Sequence, residues 1–292
     1  MLDQIDCSEA LVANGVSTCA GCALEIIIRR VLEILGKDTV IVIPPGCAAL
    51  FSGYGENTAL KIPGFQGNLE NTAAIAAGIR AGLEKQGKNH VNVLGFAGDG
   101  ATVDIGLQAL SGVFERRDKI MYICYDNEAY MNTGIQGSGS TSYKAKTTTT
   151  PGGKLSLKKD MLEIAAAHRI DYVASASVGY ISDLQKKIEK AMKVDGPSYI
   201  HIHTPCPTGW GYEPCMTIDV ARKAFETGAW SLFEIENGNK RITKNLKQRK
   251  PVTEYLKLQK RFDHLDNDDI GEIEDIISDN IEKLKRDCHY GE

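Results

Sequence analysis

The chain has 292 residues, 42% hydrophobic and 25% charged, with a formal net charge of -4. These values fit one large soluble α/β domain and give no electrostatic reason to propose a nucleic-acid partner. No apolar run approaches the roughly 20 residues needed to cross a bilayer. Met1 to Asp6 is acidic and lacks the basic, apolar pattern of a secretory signal, so the expected location is cytoplasmic.

In chain order, apolar residues at helical spacing (Leu24, Ile27, Ile28, Val31, Leu35) predict a helix over Cys22–Leu35 that ends at Gly36. Thr39–Ile43 is a β-branched run and predicts a buried strand. Leu69–Leu83 is Ala-rich and helical in pattern. Val91–Ala97 predicts a strand, Ile105–Phe114 a helix and Ile120–Tyr125 a strand. Residues 137–153 are rich in Gly, Ser and Thr and read as a long loop, the kind that in compact domains is functional or mobile. Met161–His168 and Ile181–Val194 predict helices; Tyr172–Ser175 and Tyr199–His203 predict strands. From Lys240 onward the chain is strongly charged, with helices expected over Val252–Phe262 and Ile270–Lys285. That division gives a domain of residues 1–240 and a helical C-terminal extension of residues 241–292, read as a surface appendage. No internal repeat is visible.

Strands alternating with helices predict a parallel sheet covered on both faces. Ligands in such sheets bind at the carboxyl ends of the strands. The distinctive motifs fall there: Gly98-Asp99-Gly100 after one strand, Asp126-Asn127 after another, Pro205-Cys206 after a third.

Eight cysteines are many for a chain in a reducing compartment, where clustered thiols more often hold metal or do redox work than form disulfides. Cys19-Ala20-Gly21-Cys22 is a C-x-x-C pair ahead of a helix. Cys47 follows a strand in Pro44-Pro45-Gly46-Cys47, and Cys206 opens Cys206-Pro207-Thr208-Gly209-Trp210. A tetranuclear iron–sulfur cluster takes four thiolates, which a close pair and two distant cysteines can supply. A zinc half-site, a redox pair or simple burial fits the C-x-x-C pair as well. Cys215 rivals Cys206 for a fourth position. Cys124, inside an apolar strand, reads as core; Cys7 and Cys288 read as free thiols.

Gly98-Asp99-Gly100 taken alone is a tight turn. Asn127 lies 28 positions after Asp99, at the end of the next expected strand. A diphosphate held through Mg²⁺ needs hard oxygen ligands in octahedral geometry. Asp99 can supply a carboxylate, Asn127 an amide oxygen and Ala129 a backbone carbonyl, while a helix opening near Asp104 can offer N–H groups to phosphate.

These motifs, with Asp104-Ile105-Gly106-Leu107-Gln108, Tyr125 to Gly134, Leu69-Glu70-Asn71, Thr147-Thr148-Thr149 and Cys206 to Trp210, resemble the β subunits of 2-oxoacid:ferredoxin oxidoreductases, with pyruvate:ferredoxin oxidoreductase the best match. The resemblance covers residues 15–240. It implies the pyrophosphate-type thiamine-diphosphate fold and three cofactors: thiamine diphosphate, Mg²⁺ and a [4Fe-4S] cluster. It implies cluster ligation by Cys19, Cys22, Cys47 and Cys206, and Mg²⁺ ligation by Asp99, Asn127 and the Ala129 carbonyl. Gly46, Cys47, Gly98, Gly100, Ala101, Asn132 and Thr133 are implied to line the cofactor, with Asn132 at its reacting end. The implied reaction is oxidative decarboxylation of a 2-oxoacid, with electrons leaving through the cluster to ferredoxin and, in most members, the acyl group passing to coenzyme A. A thiamine-activating glutamate on a separate α subunit, and γ or δ subunits including a two-cluster ferredoxin-like chain, are implied partners. The stretches 48–54 and 62–68 and the pair Gly153-Lys154 depart from the pyruvate pattern, so oxalate, phenylglyoxylate and branched 2-oxoacids stay open beside pyruvate. The competing readings are a thiamine-dependent decarboxylase without a cluster and a zinc-stabilised structural subunit.

Overall fold

The computed structural model describes residues 10–53 and 58–289. Cys7 and Tyr54 lie outside them. Eight strands form one sheet in the order β2-β1-β3-β4-β6-β5-β7-β8. They are β1 (Thr39–Ile43), β2 (Gly64–Gln66), β3 (Asn92–Gly98), β4 (Met121–Asp126), β5 (Tyr172–Ser177), β6 (Ser198–His203), β7 (Phe233–Glu236) and β8 (Asn239–Ile242). The first six run parallel; β7 and β8 add an antiparallel hairpin beside β5. The helices are α1 (Ala23–Leu35), α2 (Ala49–Ser52), α3 (Thr72–Lys85), α4 (Leu107–Arg116), α5 (Met161–Ala167), α6 (Ile181–Met192), α7 (Pro207–Trp210), α8 (Thr217–Glu226), α9 (Thr253–Leu256) and α10 (Asn267–His289).

The period of two along each strand sorts side chains into two cores. Ile41, Ile43, Leu94, Phe96, Ile123 and Tyr125 point to one face, where Leu24, Ile27, Ile28 and Val31 of α1 and Leu184 and Ile188 of α6 cover them. Val42, Val93, Ala97, Tyr122 and Cys124 point to the other, against α3, α4 and α5. Each such fully buried aliphatic side chain contributes about 1.5–3 kcal/mol of transfer free energy. The expected parallel sheet with helices on both faces is the observed one.

Three features differ from the sequence reading. Helical backbone begins at Asp99, not near Asp104, and Gly100–Asp104 is a π-helical turn. A Cβ on Gly100 would stand 2.3 Å from the Tyr130 ring, so this wide turn is open only to glycine there. Strands β2, β7 and β8 escape the hydrophobic pattern because they are short: β2 is exposed, β7 alternates apolar residues with glutamates, and β8 is mostly polar and partly exposed. The third difference concerns the charged C-terminal stretch, which is not a surface appendage. Val252, Tyr255, Leu256, Phe262, Ile273 and Ile277 are buried in a third core with Trp210, Tyr212, Val220 and Ala224. Most of its charges line the outer faces, with Arg261 a buried exception, while its few apolar residues recur at helical spacing and face inward.

The crossover from β1 leads to β2 on one side, and that from β3 leads to β4 on the other. The carboxyl ends of β1 and β3 therefore flank a reversal of strand order, where open α/β sheets bind ligands. Gly46-Cys47 and Gly98-Asp99-Gly100 stand at those two ends.

Candidate active site

Two groups of side chains meet along this edge. One is a set of oxygens. Asp99 is fully buried at the end of β3, and Asn127 and Ala129 follow β4. The outer end of the Asn127 amide lies 3.0 Å from Asp99 Oδ1 and 2.9 Å from the Ala129 carbonyl oxygen. With the amide oxygen at that end, three oxygens converge with no proton between them. Adjacent ligands on an octahedron with bonds of about 2.1 Å stand about 3.0 Å apart, so the spacing fits Mg²⁺. Turned over, the amide would donate to both oxygens. Burial and the neighbouring Asp126 push the Asp99 carboxyl well above the usual carboxylate range, a shift that a divalent cation reverses.

The surrounding loops hold this set. Ser138 donates its hydroxyl to Asp99 Oδ2, leaving Oδ1 for the oxygen cluster. The Ser138 loop is in turn fixed by Lys154, whose buried ammonium donates to the carbonyls of Ser138 (3.1 Å) and Thr141 (2.8 Å). Trp210 Nε1 donates to the Asn127 carbonyl at 2.9 Å. Residues 137–153 are thus a packed wall of the site, with Ser138, Ser140, Thr141 and Ala145 buried. Gly98 and Gly100 approach the rings of Tyr125 and Tyr130, and Ala101 is buried behind them. Asn132 and Thr133 lie exposed on the turn that follows Ala129, where the Thr133 hydroxyl donates to Gln136 Oε1 at 2.6 Å.

The second group is sulfur. Cys22 caps the N-terminus of α1 and Cys206 that of α7. Backbone N–H groups of Leu24 and Glu25 face the Cys22 sulfur, and the Gly209 N–H donates to Cys206 Sγ at 3.3 Å. Burial pushes the Cys22 thiol up to about 11, and the charges of Cys206 and Cys19 add to it. Burial pushes Cys47 up to about 12, with Cys206, Cys22 and Cys19 adding to it. The four expected cysteines therefore lie within electrostatic reach of one another, while Cys215 is exposed and contributes to none of these shifts. Cys22, Cys47 and Cys206 are half-buried and Cys19 is exposed; thiols that repel one another's ionisation suit a positive metal core, which takes them as thiolates. Among the described residues, no three His, Cys, Asp or Glu side chains converge as ligands of a single ion would. A tetranuclear cluster asks for less convergence, since each sulfur reaches a different iron. Gly21, at φ 70, lets the Cys19–Cys22 loop lie against the backbone of Pro214, the residue before Cys215: a Cβ there would stand 2.2 Å from the Pro214 carbonyl oxygen.

The two groups touch through Asn127, whose Nδ2 faces Cys47 Sγ at 3.9 Å. One orientation of this amide turns its oxygen to the oxygen cluster and its N–H to the sulfur cluster.

Residues 45–202 match the family model of the thiamine pyrophosphate enzyme C-terminal, thiamine-pyrophosphate-binding domain. Pyruvate synthase subunit PorB of Methanothermobacter thermautotrophicus is 49% identical over 282 residues, 95% of this chain and 98% of that one. The chain belongs to the 2-oxoacid:ferredoxin oxidoreductase family, as a thiamine-pyrophosphate-binding β subunit. Ketoisovalerate oxidoreductase subunit VorB of Pyrococcus abyssi, also in this family, is 44% identical over 93% of this chain and 91% of its own. A solved 2-oxoglutarate:ferredoxin oxidoreductase from Magnetococcus marinus superposes with a TM-score of 0.61 over 70% of this chain and 69% of that one; at 21% identity this likeness shows the fold. The chain is thus a subunit of an oxidoreductase, and thiamine diphosphate is its cofactor. No helix among the described residues is long and apolar enough to cross a membrane.

The sequence reading missed the charged network under the oxygen cluster. Asp126 binds His201 Nε2 (2.9 Å) and Lys158 (3.2 Å), and Glu128 binds Lys158 (2.8 Å) and Arg261 (2.6 Å). Burial alone would raise Asp126; Lys158 and His201 overrule it and hold its carboxyl below the usual range. Burial likewise opposes ionisation of Glu128, and Arg261 and Lys158 hold it ionised. Glu128 lies beside Asn127 in the sequence, and its partners come from segments no local motif links to it.

Proposed function

We propose that this subunit binds thiamine diphosphate through Mg²⁺ held by Asp99, Asn127 and the Ala129 carbonyl, and a [4Fe-4S] cluster through Cys19, Cys22, Cys47 and Cys206. In the assembled enzyme it oxidatively decarboxylates a 2-oxoacid and passes the electrons to ferredoxin. The observation that carries this reading is Asn127, which borders both the oxygen set and Cys47. Thiamine diphosphate supplies the electron sink that decarboxylation requires, and an iron–sulfur cluster supplies one-electron capacity.

This chain's residues supply position. Asp99 is aimed by Ser138, and Asn127 is held at its backbone by Trp210. Gly98, Gly100 and Ala101 leave room for the backbone to approach the diphosphate, and Gly46 and Cys47 border it from the β1 side. Asn132 and Thr133, exposed on the next turn, are assigned to the reacting end, with Asn132 the residue that orients substrate. Backbone N–H groups at Cys22 and Cys206 favour their thiolates and tune the cluster's potential.

Pyruvate, with coenzyme A as acyl acceptor, is the proposed substrate, supported by the 49% identical pyruvate synthase relative. A branched 2-oxoacid is the second reading, supported by the ketoisovalerate oxidoreductase relative. The partners assigned are an α subunit carrying the thiamine-activating glutamate, γ or δ subunits with a two-cluster ferredoxin-like chain, and ferredoxin. A reducing cytoplasmic setting accords with the free thiols among the described cysteines.

The test is anaerobic purification of the native complex, with iron, sulfide and thiamine analysis and an electron paramagnetic resonance spectrum after dithionite reduction. Thiamine with a cluster signal, and ferredoxin reduction that depends on one 2-oxoacid of a panel, is the expected result. Thiamine without iron would replace this reading by a non-redox decarboxylase, and zinc without thiamine would overturn it.

A further inference from the structure

The turn Asn127-Glu128-Ala129 turns two oxygens toward Asp99, and its middle residue pays for that geometry. Glu128 has a left-handed backbone, φ 65, which a non-glycine residue keeps only where its surroundings over-determine it. Those surroundings are dense. The Glu128 N–H donates to Asp126 Oδ1 at 2.9 Å, and its carbonyl accepts from Thr141 Oγ1 at 2.6 Å. Its carboxylate, 3% exposed, accepts from Ser142 Oγ at 2.7 Å, Lys158 at 2.8 Å and Arg261 Nη1 at 2.6 Å.

Arg261 is tied to this turn twice. Besides pairing with Glu128, its guanidinium lies 3.7 Å over the Trp210 ring. That ring's Nε1 donates to the Asn127 carbonyl at 2.9 Å. The Arg261 side chain is 4% exposed, and its guanidinium is fixed on its far side by Gln259, which accepts from its Nε at 2.9 Å. A planar cation that stacks on one face and pairs at its edge is a role a lysine ammonium fills only in part. Arg261 lies beyond the residues 45–202 that match the thiamine pyrophosphate family model, in the C-terminal segment.

We propose that Arg261 is a positioning residue for the cation site: through Glu128 and through Trp210 it holds Asn127 and the Ala129 carbonyl on the same point as Asp99. The C-terminal segment thereby sets the Mg²⁺ affinity of a site to which it supplies no ligand. The inference rests on the reading of Asp99, Asn127 and Ala129 as the Mg²⁺ ligands.

The experiment uses the purified complex stripped of Mg²⁺ and thiamine diphosphate. Mg²⁺ is titrated at saturating thiamine diphosphate, and cofactor binding is read by calorimetry on the folded fraction, with the melting temperature measured in parallel. Removing a group that orients a metal ligand costs on the order of tenfold in metal affinity. R261M is therefore expected to raise the half-saturating Mg²⁺ concentration about tenfold. R261K, which keeps the charge and loses the stack, should give a smaller rise in the same direction. E128Q combined with R261M should rise by less than the product of the two single effects, because both act through one pair. A lower melting temperature with unchanged Mg²⁺ half-saturation in R261M would make Arg261 merely structural and overturn the proposal. Should R261M fail to fold, R261K decides by the same criterion. D99A separates the two levels: if it too leaves the Mg²⁺ dependence unchanged, the cation site itself has been misassigned.

Discussion

Trp210 donates from its indole N–H to the backbone carbonyl of Asn127 at 2.9 Å, joining the turn that begins with Cys206 to the turn that follows β4. Cys206 and Trp210 are four residues apart and lie at the two ends of the short helix α7. One small element therefore carries a sulfur of the cysteine group and the clamp on the oxygen group. Cys47 completes the connection from the other side through the Asn127 amide. Under the proposed function, in which electrons pass from a bound organic cofactor to a metal cluster, this shared scaffold would hold the two at a fixed separation.

Replacing Trp210 by Phe keeps most of the buried ring and deletes the N–H. A buried carbonyl left without its donor costs about 1–3 kcal/mol. Trp210→Phe should lower the stability of the purified complex by that order and weaken thiamine diphosphate retention, read by urea midpoint and thiamine content. Normal retention with lowered stability would show that the indole braces the core and leaves the cofactor site alone.

Asp99→Ala removes the one carboxylate of the oxygen set. Asn127 and the Ala129 carbonyl remain, but two neutral oxygens are a poor site for a hard dication. The complex should assemble and lose Mg²⁺-dependent thiamine diphosphate binding, with the half-saturating Mg²⁺ concentration rising by more than the roughly 10–100-fold that loss of an outer-shell partner costs. Unchanged thiamine content after gel filtration would sink the assignment.

Cys206→Ser and Cys215→Ser form a discriminating pair, since both cysteines lie in the same segment between β6 and α8. Cys206 is part of the mutually repelling thiol group, and Cys215 stands exposed outside it. Iron and sulfide content should fall in the first variant and stay at the native level in the second. The reverse pattern would transfer the fourth position to Cys215.

Most of the parallel sheet could be read from the sequence because its strands are apolar on both faces: Thr39–Ile43 was delimited to the residue, and β3, β4 and β6 to within one residue at each end. Each motif expected to carry chemistry lies at the carboxyl edge, and Asp99, Asn127 and Ala129 do converge. What stayed hidden is long-range. Nothing local to Arg261, within a run of charged residues, distinguishes it from a solvated side chain; its partner Glu128 lies 133 positions earlier. The burial of Val252, Tyr255 and Leu256 was masked in the same way by the charge around them. Lys154 departs from the family motif in the sequence, and its role as a buried cation among carbonyls emerges only from the fold.

His203, at the end of β6, makes a prediction about pH. It is 1% exposed, its ring 4.8 Å from that of Trp230, with Nε2 3.3 Å from the Tyr255 hydroxyl and Nδ1 without a hydrogen-bond partner among the described residues. Burial lowers its pKa from 6.5 to about 3, against the pull of Glu128. The folded chain therefore keeps His203 neutral where the unfolded chain has already taken up a proton. Its contribution to stability is fully present above the unfolded value of 6.5 and is lost as pH falls from there toward 3. One proton bound only by the unfolded chain changes stability by about 1.4 kcal/mol per pH unit. His203→Phe places an apolar ring among Trp210, Trp230 and Tyr255 and removes that proton. Urea unfolding of the complex at pH 7 and pH 5 should show the native protein losing more stability on acidification than the variant, by up to this slope below pH about 6.5. Equal losses would mean that His203 takes up its proton in the folded chain as readily as in the unfolded one.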